Sequence, residues 1–109
     1  MKEVDVIIGN SSSGVIEAPS LKKPTVNIGE RQRGRVRASS VIDCKPFQKD
    51  IYVSINLALS DNFKNISAST ANPYEKSGTS DNIFNIIVKA NLQNILQKHF
   101  FDLVSFNDI

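Results

Sequence analysis

The feature that most limits what this chain can become lies at residues 4–14, where the run VDVII closes on Gly9 and passes directly into NSSSG. A short β-branched run of this kind reads as a strand buried on both faces, with Asp5 as its one polar residue. The small residues after it read as a turn, and residues 14–21 (GVIEAPSL) as a short helix capped by a serine of the triplet. Pro19 limits how far that helix keeps regular hydrogen bonding. A strand, a tight turn and a helix in that order open a parallel α/β layer structure.

Residues 25–28 (TVNI) predict a second strand, broken by Gly29, and residues 40–43 (SVID) a third. Residues 49–59 predict a helix with Ile51, Ile55, Ala58 and Leu59 on one face. Residues 60–78 are polar, contain Pro73 and read as a loop. Residues 81–98 read as a long helix carrying Ile83, Ile87, Ala90 and Leu96, followed by the aromatic tail HFFDLVSF. The expected fold class is α/β, a partial Rossmann-like three-layer domain with a small parallel sheet. Three strands leave an edge without its neighbour, so the chain is expected to be the last part of something longer.

Composition narrows the function classes. At 109 residues the chain is one domain at most, and its 40% apolar and 22% charged content is that of an ordered globular protein. A net charge of +2 does not by itself demand a polyanionic partner. Cys44 has no second cysteine to pair with, and the single histidine, His99, lies far from it, so no metal site is expected. No run approaches the roughly 18 apolar residues of a membrane span, and the N-terminus shows no apolar signal segment. The expected location is the cytoplasm, without a membrane partner.

Two segments carry chemistry. Backbone N–H groups at a helix start have no intrahelical partner, so a strand ending in a Gly/Ser turn offers donors to a phosphate. Here Ser11, Ser12 and Ser13 add hydroxyls, and Gly14 lets the backbone come close. Glu17, on the first turns of the predicted helix, is placed to reinforce the helix start or to accept hydrogen bonds from a sugar diol. The same residues also fit a serine-rich cap with no ligand. In the second segment, ERQRGRVR, the residues Arg31, Arg33, Arg35 and Arg37 alternate, which in extended backbone sends all four guanidinium groups to one face. Such a face suits a diphosphate, since arginine offers planar paired donors. A solvated basic loop and a nucleic-acid surface are the competing readings. No aromatic residues interleave with the arginines, which counts against nucleic acid.

Other residues read as structural. His99 fits a helix C-terminus, Cys44 a small buried filler, and Tyr74 an anchor for its loop. Asp43 and Asp50 do not form an acid–base pair, and the chain shows no catalytic constellation.

The stretch GNSSSGVIEAPSLKKPTVNIGERQRGR resembles the C-terminal signature of the UDP-N-acetylglucosamine 2-epimerases, most closely their hydrolysing branch. The likeness runs on through ASSVIDC, the NPY of residues 72–74 and the KHFFDL tail. The non-hydrolysing branch is similar but has a Ser-Gly-Gly turn, where this chain has Ser12 and Ser13 at the glycine positions. The resemblance implies a glycosyltransferase-B-like fold of two Rossmann-type domains, with residues 1–109 forming the C-terminal part of the second and the N-terminal domain absent. It implies that Ser11 and Ser12, with the rest of the turn at Ser13 and Gly14, receive the diphosphate of UDP. On the same basis Glu17 holds the ribose hydroxyls and Arg31 contacts the nucleotide.

The reaction it implies is anti elimination of UDP across C1–C2 of a UDP-2-acetamido sugar. Water then adds with inversion at C2, giving N-acetylmannosamine-type sugars of the kind used for sialic acids. It calls for no cofactor, and for a homo-oligomer at full length. The acids and bases of that reaction lie outside this segment, so the 109 residues alone are expected to be inactive. The alternative is a non-catalytic UDP-binding or interaction module that complements a separately made N-terminal half.

Overall fold

A computed structural model describes residues 1–93, 95 and 96. The chain divides into two compact units, Met1–Glu75 and a second beginning at Lys76. The first unit contains strands β1 (Ile7–Gly9), β2 (Thr25–Ile28) and β3 (Val41–Cys44). Its helices are α1 (Ser12–Ile16), α2 (Gln48–Leu59) and α3 (Asp61–Ala68), with a 3₁₀ turn at Ala18–Leu21. The second unit contributes α4 (Thr79–Lys89).

The strands form a parallel sheet in the order β1-β2-β3, with Ile8 opposite Val26, Val26 opposite Ile42 and Asn27 opposite Asp43. This α/β arrangement is compatible with part of a Rossmann-like domain. Because every strand runs the same way, Gly9, Ile28 and Cys44 end at one edge of the sheet, and the serine turn and the arginine segment both begin there.

Among the described residues β2 alone has a strand on each side, and it is the buried one: Thr25, Val26 and Asn27 are each at most 2% exposed. The expectation of a first strand buried on both faces is corrected. β1 is an outer strand, Ile8 is 48% exposed, and the strand begins at Ile7, leaving Asp5 on exposed backbone before it. The charged residue that fitted poorly in a buried strand is simply not in it.

The core is made of small side chains: Val15, Ala18, Val26 and Ala58 are fully buried, and Phe63 is nearly so. On α2 the inward face is Ile51, Ser54, Ile55 and Ala58, while Leu59 turns outward. Cys44 is half-buried at the end of β3 rather than a core filler.

Residues 60–78 are not the loop their polarity suggests. Ser60 caps α3 by accepting a hydrogen bond from the Phe63 amide, and Phe63 and Ser67, four apart, supply its buried side. A helix whose inward face holds one aromatic and one serine has too little apolar signal to be read from composition.

The segment after α3 then stitches the unit together. Thr70 Oγ1 and Ser39 Oγ are 2.7 Å apart, and Lys22 Nζ donates to the Thr70 carbonyl. Asn72 Nδ2 donates to the Ile16 carbonyl and to Ser20 Oγ, both at 2.7 Å. Tyr74 anchors its segment as expected, its hydroxyl donating to the Val36 carbonyl at 2.9 Å.

The fourth helix, expected over residues 81–98, spans Thr79–Lys89 and ends at Ala90, whose ψ of 134° is extended. Asn91 Oδ1 accepts from the Gln93 amide at 2.9 Å, a local side-chain turn that competes with continued helix. Asp81 in the first turn and Lys89 in the last both suit the helix dipole, and none of its residues is buried. His99 and the HFFDLVSF tail lie outside the described residues. No helix among the described residues is long and apolar enough to cross a membrane.

Candidate functional site

The site is built where β1 gives way to α1. Gly9 has φ +151°, a conformation that side-chain-bearing residues rarely adopt, and this turns the chain out of the strand. Ser11 then caps α1: its Oγ accepts from the Ser13 amide at 3.3 Å and lies 2.8 Å from Ser13 Oγ. Ser11 is exposed, and Ser12 and Ser13 are partly so.

Gly14 is buried because α1 lies directly on β2. A Cβ added there would stand 2.8 Å from Thr25 Cγ2, closer than side chains approach. The niche enclosed by Gly9, Ser11, Ser13 and Gly14 is only about 40 Å³, so the turn is one wall of a site rather than an enclosed pocket.

Glu17 is exposed and stands at the C-terminal end of α1, not on its first turns. α1 is five residues long, and Pro19 redirects the chain into the 3₁₀ turn for which Glu17 is the cap position. The expected support of Glu17 for the N-terminus of α1 is therefore corrected, while its exposed carboxylate has no hydrogen-bond or ion-pair partner among the described residues.

The arginine segment connects β2 to β3 without a helix. Residues 31–34 are turns, and Gly34 has φ +83° at the tip. An extended stripe with four guanidinium groups on one face does not exist. The alternation signalled a strand, but the parallel crossover between neighbouring strands must reverse direction twice, which turn backbone provides.

The arginines consequently take separate roles. Arg33 faces Glu30 at 3.6 Å, both largely exposed. Arg37 is a strap: its Nε contacts both carboxylate oxygens of Asp43, at 3.0 and 2.8 Å, and its Nη1 donates to the carbonyls of Gln32 and Arg35. Asn27 Nδ2 completes the cluster by donating to Asp43 Oδ1 at 2.7 Å. Asp43, assigned no role from the sequence, is thus the acceptor that holds the loop to the sheet. Asp43→Ala is expected to destabilise the unit by about 1 kcal/mol in urea unfolding, since the lost bonds are partly solvated. The basic-face argument for nucleic acid falls with the stripe.

Arg31 reaches the serine turn, its Nη1 lying 3.5 Å from Asn10 Oδ1. Gln32, beside it, donates from Nε2 to the Asn10 carbonyl at 2.8 Å. Two segments some twenty residues apart in sequence therefore meet over Asn10. An open cavity of about 530 Å³ lies among Gly29, Arg33, Arg35 and Asp43. Among the described residues no cluster of His, Cys, Asp and Glu is arranged to hold a metal ion. Sequence reasoning missed Asn10 and Gln32; the signal for Gln32 was its being the one uncharged polar side chain between arginines.

The family model of UDP-N-acetylglucosamine 2-epimerase matches residues 1–88. The chain belongs to that family. It is 44% identical over 100 residues to polysialic acid biosynthesis protein P7 of Escherichia coli, covering 89% of this chain and 25% of that protein. It is 38% identical over 104 residues to the hydrolysing GDP/UDP-N,N'-diacetylbacillosamine 2-epimerase of Campylobacter jejuni, covering 94% of this chain and 27% of that one. A UDP-N-acetylglucosamine 2-epimerase of Neisseria meningitidis serogroup B is 30% identical over 104 residues. The chain thus spans about a quarter of the length of the curated relatives it matches. The matched residues include both the serine turn and the arginine loop.

Proposed function

We propose that the chain forms the UDP-holding wall of a hydrolysing UDP-sugar 2-epimerase, within the second domain of a glycosyltransferase-B-like protein. The observation that carries this reading is the meeting of Arg31 with the serine turn over Asn10. It supports a shared task for Ser11, Ser12, Ser13, Gly14 and Arg31 on one diphosphate, with the exposed Glu17 carboxylate taking the ribose hydroxyls.

In that role the serine amides and hydroxyls and the Arg31 guanidinium stabilise the negative charge that gathers on UDP as its bond to C1 breaks. Preorganised donors of this kind favour the charge-separated state over the bound substrate. Removal of the C2 proton and delivery of water require groups from the rest of the longer protein. The relatives named as hydrolysing epimerases, and Ser12 and Ser13 in place of the paired glycines, support the hydrolysing branch over the non-hydrolysing one.

Titration calorimetry of the 109-residue chain with UDP tests the reading. Binding is expected, and Ser12→Ala and Glu17→Ala are each expected to weaken it by about tenfold, the loss of one well-placed hydrogen bond to a charged or diol partner. No turnover of UDP-N-acetylglucosamine is expected from this chain by itself. Absence of UDP binding, or indifference to both substitutions, would remove the proposal.

A further inference from the structure

Gln32 is buried to 3% exposure while Arg31, Arg33 and Arg35 around it face solvent. A primary amide is buried at a cost unless its groups are paired, so its position calls for a partner worth the burial. Nε2 has one in the Asn10 carbonyl at 2.8 Å. That carbonyl can only accept, so chemistry fixes which end of the amide faces it. Oε1 is left buried without a donor. The backbone carbonyl of Gln32 in turn accepts from Arg37 at 2.9 Å, and Arg37 is tied to Asp43 on β3. Gln32 therefore stands between the sheet-anchored part of the arginine loop and the first residue of the serine turn.

We propose that Gln32 is a positioning residue that clasps Asn10 and so holds the serine turn and the Arg31 loop as one unit. It acts on nucleotide affinity through them without touching the nucleotide. The affinity part of this inference rests on the UDP reading above; the clasp itself does not.

The test uses Gln32→Met, which keeps the length and removes the donor, and Gln32→Glu, which keeps the shape. Amide hydrogen exchange of the ligand-free chain comes first. In Gln32→Met, exchange at Ser13 and Gly14 is expected to quicken about tenfold, the equilibrium weight of one buried hydrogen bond, with Val26 unchanged. Equal quickening at Val26, or no change at the turn, overturns the clasp whether or not UDP binds.

Calorimetry then reads the consequence, with UDP affinity expected to fall about tenfold in Gln32→Met. An affinity within about twofold of wild type, alongside local exchange at the turn, overturns the positioning role.

Gln32→Glu supplies a rescue that a merely space-filling residue would not show. An ionised carboxylate cannot donate to Asn10, whereas a protonated one can, so its affinity is expected to approach that of wild type as pH falls through the carboxylic range. A ratio to wild type that stays constant with pH argues against the clasp. Wild-type chain that binds no UDP removes the nucleotide reading and leaves the exchange result to judge the clasp.

Discussion

Gly14→Val is expected to cost about 3 kcal/mol of stability, the upper part of the range for forcing extra carbons into a packed site. The position is closed on its sheet side, where even a Cβ would stand 2.8 Å from Thr25 Cγ2. Thr25 cannot swing aside cheaply: it is 2% exposed, sits in the central strand, and its branched side chain has few rotamers. Gly14→Ala tests the same contact with opposing terms. Alanine gains up to about 1 kcal/mol in a helix over glycine, against roughly 1–3 kcal/mol for the clash, so a smaller net loss is expected. Urea unfolding with an unchanged slope is the measurement, and two variants as stable as wild type would mean that α1 rides higher on β2 than described. The functional consequence follows from position, because lifting α1 off the sheet also moves Ser11–Ser13 relative to the arginine loop.

Phe63→Ala is the second large effect, expected at about 3 kcal/mol by loss of a buried ring and the cavity it leaves. Phe63 is the one phenylalanine or tyrosine buried to 9% among the described residues, in a core otherwise made of valine and alanine. It is also what seats α3, and α3 delivers the segment whose Thr70, Asn72 and Tyr74 hold the 3₁₀ turn and the arginine loop. Limited proteolysis is expected to cut Phe63→Ala between residues 69 and 75 well before wild type. Phe63→Leu, which retains most of the volume, is expected to lose less than about 1.5 kcal/mol and to keep that segment protected. Equal protection of all three proteins would separate α3 from the loop's support.

What the chain disclosed in advance follows from how local each signal is. β2 was legible at its true ends, because three of its four residues, Thr25, Val26 and Ile28, are β-branched and Gly29 closes it. That a serine of the triplet caps α1 was legible for the same reason, since such a cap needs no distant partner; that it is Ser11, with the helix starting at Ser12 and not Gly14, was not. The outer position of β1 was not, as burial on one side or two depends on neighbours that the run VDVII does not name.

The site shows the same division. Ser11, Ser12 and Arg31 were nominated by residue type and resemblance. The role of Arg37 was misread because alternation along a sequence carries geometry only if the backbone is extended, and here Asp43, a residue on the next strand, decides otherwise. Gln32 and Asn10 meet across residues that share no pattern.

The bonds to Thr70, Asn72 and Tyr74 also set an order of events. The serine turn can take shape from residues within a few positions of one another, but the arginine loop is braced by groups from 31 to 38 residues later. During synthesis, a ribosome that has just attached Ala68 has already made every residue proposed to meet UDP. It has not yet made the hydroxyls that brace the loop. The wall proposed to hold the nucleotide is thus the last part of this unit to be braced.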